Sequence, residues 1–156
     1  MENIIKINIK KKEDYVSKFN DNILSRELSN YIIDEHKSFN IKDKFHIEVT
    51  SDYEMDEKEK DMFVDMIRYN YGTEISEMIS RRKRSIFMDI ITLLLAGIAL
   101  VFYLFSSDIP ILSEFILVFS WVLIWESMYN LIFGGFANKI DIERRRKITE
   151  CKVIFK

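Results

Sequence analysis

The fold of this chain is decided by residues 86–133, which read IFMDIITLLLAGIALVFYLFSSDIPILSEFILVFSWVLIWESMYNLIF. The stretch lies inside a gap of 54 residues without lysine or arginine, between Arg84 and Lys139. It contains two apolar blocks, residues 86–105 and 111–133, which as helices would each be about 30 Å long or slightly more. That length matches the hydrocarbon core of a bilayer, so the stretch predicts two membrane-spanning helices.

The segment between the two blocks is short and polar. Residues 106–110 read SSDIP, which leaves room only for a tight reversal. Pro110 suits the end of one helix or the first turn of the next, where its missing N–H group does no harm. The sequence therefore predicts a transmembrane helical hairpin.

Basic residues flank both blocks, whereas the connecting segment has none. By the positive-inside rule, the chain is expected to be a multi-pass protein of the cell (inner) membrane with both termini in the cytoplasm. The flanking residues should also attract anionic lipid headgroups, by about 1 kcal/mol each. This basic collar consists of Arg81, Arg82, Lys83 and Arg84 before the hairpin, and of Arg144, Arg145, Arg146 and Lys147 after it.

The net charge of −2 hides an uneven distribution of charge. Residues 1–80 hold 18 acidic against 12 basic side chains, and residues 81–156 hold 7 against 11. An acidic cytoplasmic part would repel phosphate, so nucleic acid is not expected as a partner. The single cysteine, Cys151, lies on the inner side and excludes an intramolecular disulfide.

The parts outside the hairpin predict a small α+β domain. Apolar residues alternate over residues 4–10 and 45–50, as in strands with one buried face. Ser25 and Asp56 are expected to be N-caps of two helices, the second with Glu59 in the third helical position. Residues 11–22 are expected to be an irregular loop.

Glycines mark two possible helix boundaries near the predicted spans. Gly72 either ends the second helix or only weakens one long helix over residues 57–105. After the hairpin, Gly134 and Gly135 are expected to end the second span. A short basic helix over residues 140–150 and a strand at the C-terminus should follow.

The predicted fold class is therefore α+β with membrane helices, in the order strand, helix, strand, helix, two spans, helix, strand. A lone terminal strand would be unstable, so we expect it to join the sheet formed by the earlier strands. Residues 1–80 would form a cytoplasmic α+β part, and residues 81–136 the collar and hairpin. Residues 137–156 would form a cytoplasmic helix and strand that pack on residues 1–80.

At heptad spacing each block presents a stripe of small or polar residues. Small residues let membrane helices approach closely, so the stripes predict a packing seam. In a hairpin that reverses at Asp108, Ala96 faces Ser120 and Asp89 faces Ser127. A water-filled path along the same stripes is the alternative. The stripes consist of Asp89, Thr92, Ala96, Ala99 and Tyr103, and of Ser113, Ser120, Ser127 and Gly134.

Three acidic residues lie within the blocks. Asp89 and Glu114 are one turn from an end, so their carboxyls can reach the membrane surface. Glu126 lies about 10 Å inside, where an unpaired charge costs at least ~2.5 kcal/mol at full depth. It is about 100° around the helix from the serine stripe, with Asn130 between them. Protonation, local thinning of the bilayer or a second copy of the protein would relieve this cost, and we expect a homo-oligomer.

No catalytic or metal-binding motif survives inspection. The run from Asp52 to Asp56 begins like a calcium loop, but Glu57 stands at the required glycine position and Phe63 at the closing glutamate position. His36 and His46 have no cysteine partner nearby. The sequence predicts no metal, no cofactor and no enzymatic activity.

The sequence leads to two functional hypotheses. The first is a non-enzymatic membrane protein of bacterial type that presents a cytoplasmic α+β module for self-assembly or for binding a protein partner. The second is a small homo-oligomeric ion channel or membrane-permeabilising effector, motivated by Asp89, Glu126 and the serine stripe. The bias toward Ile, Lys and Asn is typical of AT-rich bacterial genomes.

Overall fold

The structure is a computed structural model that describes residues 3–105 and 110–156. It is mixed α+β, and two of its helices are long and apolar enough to cross a membrane. The predicted reversal over residues 106–110 lies largely outside the described residues. The elements in chain order are β1 (Asn3–Ile9), a 3-10 turn (Lys12–Asp14), β2 (Val16–Ser17), β3 (Asn20–Leu24), α1 (Arg26–Ser38), β4 (Phe45–Ser51), α2 (Glu57–Phe105), α3 (Pro110–Glu150) and β5 (Lys152–Phe155).

The chain divides into two compact units. The α+β unit consists of Met1–Glu77 and Ile140–Lys156, and the helical unit is Met78–Lys139. The long helices α2 and α3 each contribute residues to both units.

The α+β unit is built on a three-stranded parallel sheet in the order β1-β4-β5. Parallel neighbours need long crossover connections, and here segments that contain α1, and α2 with α3, supply them. The alternation of apolar residues places Ile5, Ile7 and Ile9 on the buried face, as the sequence indicates. The terminal strand β5 pairs with β4, with Val153 beside Ile47 in the register.

The core of this unit lies between the sheet and the helices. Phe63 of α2 is fully buried and makes edge contacts with Tyr15 and Phe155, at ring-centroid distances of 5.2 and 6.0 Å. The hydroxyl of buried Tyr71 donates a hydrogen bond of 2.7 Å to the backbone carbonyl of Ser29. These contacts fix α2 against α1, β5 and the segment before β2.

Both predicted N-caps are confirmed. The Ser25 hydroxyl oxygen accepts a hydrogen bond of 3.3 Å from the backbone N–H of Leu28 at the start of α1. The Asp56 carboxylate accepts one of 2.6 Å from the backbone N–H of Glu59 at the start of α2. Side-chain oxygens thus satisfy backbone donors that a helix start leaves without partners.

The expectation of an irregular loop over residues 11–22 is wrong. The segment contains the 3-10 turn and part of a two-stranded antiparallel hairpin, β2-β3, with a bulge at Val16. The Asp14 carboxylate accepts hydrogen bonds of 2.9 Å from the backbone N–H groups of residues 10 and 11. Tyr15 and Val16 are buried in the core. Polar turn chemistry and two buried side chains therefore order a segment that has no regular hydrophobic pattern.

The glycines do not interrupt the long helices. α2 passes Gly72 without a break, and α3 continues through Gly134 and Gly135 to Glu150. The prediction that the helix ends at this glycine pair and that a separate helix covers residues 140–150 is therefore wrong, whereas the end of the membrane span stays a prediction. A glycine weakens a helix by about 1 kcal/mol relative to alanine but does not force it to stop. No glycine among the described residues adopts a positive φ.

Candidate functional site

The buried side chains in the described part of the helical unit are small or polar. They are Asp89 and Ala96 on α2, and Ser120 and Ser127 on α3. All four belong to the two stripes that predict the packing seam. The surrounding large apolar side chains point outward, and Leu104, for example, is 72% exposed.

The remaining seam positions, Thr92, Ala99, Tyr103 and Ser113, are half-buried. The hydroxyls of Thr92, Ser113 and Ser120 each donate to a backbone carbonyl three or four residues earlier in the same helix, at 3.0, 2.8 and 2.8 Å. Such bonds keep a hydroxyl within its own helix. These three hydroxyls therefore do not link the two helices. The choice between plain packing and a water-filled path stays a prediction.

Arg82 reaches from α2 to α3. Its half-buried guanidinium donates to the backbone carbonyls of Asn130 and Leu131, at 3.4 and 3.2 Å. A Cβ atom added to Gly134 would lie 2.9 Å from a guanidinium nitrogen, and one added to Gly135 would lie 3.3 Å from the other. The absence of side chains at the glycine pair thus leaves the space that the guanidinium occupies.

Asp89 lies seven residues after Arg82, on the same face of α2. One of its carboxyl oxygens accepts a hydrogen bond of 3.5 Å from the side-chain amide of Asn130. The other oxygen is buried and has no hydrogen-bond partner among the described residues, and neither does the buried hydroxyl of Ser127. Asn130 thus links Arg82 and Asp89 in a polar cluster between the helices, and Ser127 precedes Asn130 by one turn on α3. Buried oxygens without partners are uncommon in native structures, and they make this cluster the candidate site.

Glu126 does not belong to the polar cluster. Its side chain is exposed, and Trp125 and Tyr129, which lie near it on α3, are 66% and 56% exposed. Of the three polar candidates predicted within the blocks, the structure brings together Asp89 and Asn130 and leaves Glu126 on the outer surface of α3.

Part of the predicted basic collar makes contacts inside the α+β unit. The Arg144 guanidinium donates to the backbone carbonyls of His36 and Phe39, at 2.7 and 3.3 Å. The Lys147 ammonium donates to the carbonyl of Ile41. Both side chains thus hold the end of α1 and the loop that follows it against α3.

Arg145 forms the third such contact. Its guanidinium pairs with the Glu74 carboxylate of α2 at 2.7 Å, and 20% of the Arg145 side chain is exposed. Arg81, Lys83, Arg84 and Arg146 are exposed, and binding of lipid headgroups by the collar stays a prediction. The contacts of Arg144, Arg145 and Lys147 within the α+β unit were not predicted. A run of basic residues has the same composition whether it binds lipid headgroups or packs within the protein.

His36 and the half-buried Cys151 of the α+β unit both have shifted pKa values. His36 is fully buried beside Phe45, with ring centroids 4.4 Å apart. Burial lowers its pKa to about 4, and the nearby Arg144 and Lys147 add to this effect. Burial also raises the pKa of the Cys151 thiol to about 12. At neutral pH the imidazole is therefore uncharged and the thiol is protonated, which makes Cys151 a weak nucleophile.

Within residues 3–105 and 110–156, no group of three or more His, Cys, Asp or Glu side chains is placed to hold a metal ion. Asp56, from the rejected calcium-loop pattern, caps α2 instead.

Comparison of the chain with protein-family models, with curated proteins and with solved structures finds no match.

Proposed function

We propose that this protein is a non-enzymatic integral membrane protein of bacterial inner-membrane type that presents its α+β unit in the cytoplasm for self-assembly or for binding a protein partner. The helical unit would be the membrane anchor, with both ends of the chain on the cytoplasmic side.

The distribution of side chains in the helical unit is the observation that carries this proposal. The buried positions hold Asp89, Ala96, Ser120 and Ser127, whereas large apolar side chains such as Phe102 and Trp121 are more than 60% exposed. Water-soluble proteins bury their large apolar residues. In a lipid environment the reverse pattern is favourable, because the apolar side chains contact hydrocarbon and small residues permit close helix contact.

The α+β unit supports the second half of the proposal. It has its own hydrophobic core and sheet, and both sequence segments that form it adjoin basic residues. The positive-inside rule places such segments in the cytoplasm. A folded unit without a recognisable catalytic motif is best suited to contacts with other proteins.

Membrane insertion and orientation can be tested together. The protein should stay in the membrane fraction after extraction at high pH, which releases peripheral proteins. On a Cys151→Ser background, a cysteine at Ser107 should react with an impermeant maleimide from outside the cell. Cysteines at Lys11 and at Arg146 should react only after permeabilisation. Release into the soluble fraction, or labelling of Lys11→Cys in intact cells, would contradict the proposal.

The exposed carboxyl of Glu126 favours a second candidate function, a homo-oligomeric channel. A carboxyl group on the outer surface of an apolar helix is costly in lipid and would be satisfied where several copies surround a polar path. Ion flux through purified protein in liposomes separates the two candidates. Flux that Glu126→Gln abolishes supports the channel, whereas no flux across voltage and pH supports the presenting protein.

A further inference from the structure

The α+β unit has a groove of about 690 Å³ between β3 and the first turns of α2. Its volume is in the range of ligand and peptide sites. Ile23 of β3 and Met62, Met66 and Tyr69 of α2 supply its apolar lining. Tyr69 is 65% exposed, although it is a large aromatic side chain.

The two walls of the groove have the same length. The lining residues of α2 extend from Lys58 to Tyr69 at helical spacing, which is about 17 Å of helix. β3 has five residues, Asn20–Leu24, which is about 17 Å of extended chain. Within the described residues β3 pairs only with β2, so its other edge is open for another strand. An extended segment of about five residues therefore fits between the two walls.

The charges at the groove indicate which residues that segment should contain. Asp61 and Asp65 line the groove, against the one lysine, Lys58. The Asp65 carboxylate forms a long ion pair of 4.0 Å with the Arg68 guanidinium, and both side chains are more than half exposed, so solvent weakens this pairing. A segment that alternates basic and apolar residues would place its apolar side chains on the methionines and Tyr69, and its positive charges near the two carboxylates. Methionine side chains adapt readily to different apolar partners.

We propose that this groove binds an extended basic and apolar segment of a partner protein, which adds as a strand to the open edge of β3. The inference rests on the proposed function, because it names the class of partner that the α+β unit would bind. Binding is measured on the full chain in detergent. A failure to bind is therefore distinguishable from a failure of the membrane-insertion test.

The probe is a fluorescein-labelled peptide, Lys-Val-Arg-Leu-Lys-Val-Arg, measured by fluorescence anisotropy. We expect saturable binding with a Kd in the micromolar range, weakened by salt. The same peptide with glutamate at the four basic positions should bind at least about tenfold more weakly. Two further peptides carry N-methyl groups on one or the other alternate set of backbone amides. In an added strand only one set of N–H groups faces β3, so only the peptide methylated at that set should fail to bind.

Matched variants test the position of the site. Asp61→Asn with Asp65→Asn keeps the size of both side chains and should weaken binding about tenfold. Tyr69→Ala should weaken it several-fold, and Asp52→Asn, an exposed acid outside the groove, should leave it unchanged. No saturable binding up to about 1 mM peptide, or equal binding of the acidic peptide, would overturn the proposal. The proposal would also fail if the protein forms oligomers, the double variant dissociates them and no peptide binds. A second copy of the protein would then occupy the groove.

Discussion

The guanidinium of Arg82 lies where a side chain on Gly134 would have to go. A Cβ atom at Gly134 would be only 2.9 Å from an Arg82 nitrogen, although the two residues are more than 50 positions apart. The same guanidinium donates to the carbonyls of Asn130 and Leu131. A basic residue of the predicted collar therefore contacts the opposite helix in the space beside the glycine pair, and a side chain at Gly134 would require the Arg82 guanidinium to move.

This relationship predicts an unequal effect of two glycine substitutions. Gly134→Leu should displace the Arg82 side chain, break its two hydrogen bonds and lower the free energy of unfolding by about 2 kcal/mol. Gly97→Leu is the matched control, because a Cβ atom at Gly97 meets nothing within 4 Å. Its effect should be neutral or slightly stabilising, since leucine favours helix more than glycine does.

The two variants are compared by thermal unfolding of purified protein in mild detergent. On an Arg82→Ala background the cost of Gly134→Leu should shrink, because the conflicting guanidinium is gone. Equal losses for Gly134→Leu and Gly97→Leu would contradict this account of the glycine pair.

A second prediction concerns the fully buried Ser120. Replacement by leucine should force α2 and α3 apart and lower the free energy of unfolding by about 1–3 kcal/mol, since a larger side chain overpacks a close contact. Exposed Val122 provides the control, and Val122→Leu should be neutral. Unfolding is measured as the change in tryptophan fluorescence with increasing denaturant concentration.

Glu126→Leu separates packing within one copy from association between copies. Because Glu126 is exposed, this substitution should leave the unfolding midpoint of the monomer unchanged. If the carboxyl stabilises an oligomer, the variant should dissociate into monomers at a higher protein concentration than the unsubstituted protein does. Sedimentation in detergent measures this. A destabilised monomer with unchanged oligomer size would place Glu126 in the intramolecular core and remove the main support for a homo-oligomer.

Hydrophobic pattern explains which parts of the fold were predictable. Alternation in β1 and β4, the N-caps at Ser25 and Asp56, and the two long apolar blocks are local signals, and the structure contains each of these elements. The β2-β3 hairpin was missed because two-residue β2 is too short to show alternation. The continuation of α3 past the glycine pair was missed because a glycine weakens a helix without forcing it to end.

The candidate site likewise has features that the sequence predicts and features that it does not. Spacing alone identified the stripes to which the buried Asp89, Ala96, Ser120 and Ser127 belong. The contacts of Arg82 and Arg144 with backbone carbonyls leave no trace in the sequence, because carbonyl groups are present at every residue. The groove at β3 was equally hidden, since it depends on the hairpin.

A further prediction is a pH dependence caused by His36. The folded state keeps this imidazole neutral down to a pH of about 4, whereas the unfolded chain protonates it near 6.5. Between these values the unfolded state binds more protons, so stability is full above pH 6.5 and falls as the pH is lowered toward 4. The loss should reach about 3 kcal/mol.

Urea unfolding from pH 4 to pH 8 measures this effect. His36→Phe should remove most of the slope between pH 4.5 and 6.5, because phenylalanine fills a similar space without titrating. His46→Gln is the control, and it should keep the slope, since His46 is only half-buried. A slope that survives His36→Phe would assign the pH dependence to other groups.

Another prediction distinguishes two arginines of the same basic run, Arg144 and Arg146. Arg144→Ala removes hydrogen bonds to the carbonyls of His36 and Phe39 and should lower the free energy of unfolding by about 2 kcal/mol. Arg146 is exposed, and its guanidinium forms a surface ion pair of 3.7 Å with the Glu143 carboxylate within α3. Arg146→Ala should therefore change stability by less than about 0.5 kcal/mol. Equal effects in thermal unfolding would show that the contacts of Arg144 contribute little.

The last prediction concerns the terminal strand. Phe155 packs edge-on against Phe63 in the core of the α+β unit, whereas Ile154, the preceding residue of β5, points to the other side of the sheet. Phe155→Ala should lower the free energy of unfolding by about 2 kcal/mol, less than for a fully buried phenylalanine because Phe155 is half-buried.

Ile154→Ala should cost about 1 kcal/mol or less. Deletion of residues 152–156 should exceed the cost of Phe155→Ala, because it also leaves the second edge of β4 without a partner strand. These differences are measured by urea unfolding of the full chain and of the truncated chain in detergent. If the truncated chain unfolds at the same urea concentration as the full chain, β5 adds no stability and the parallel pairing with β4 does not close the sheet in solution.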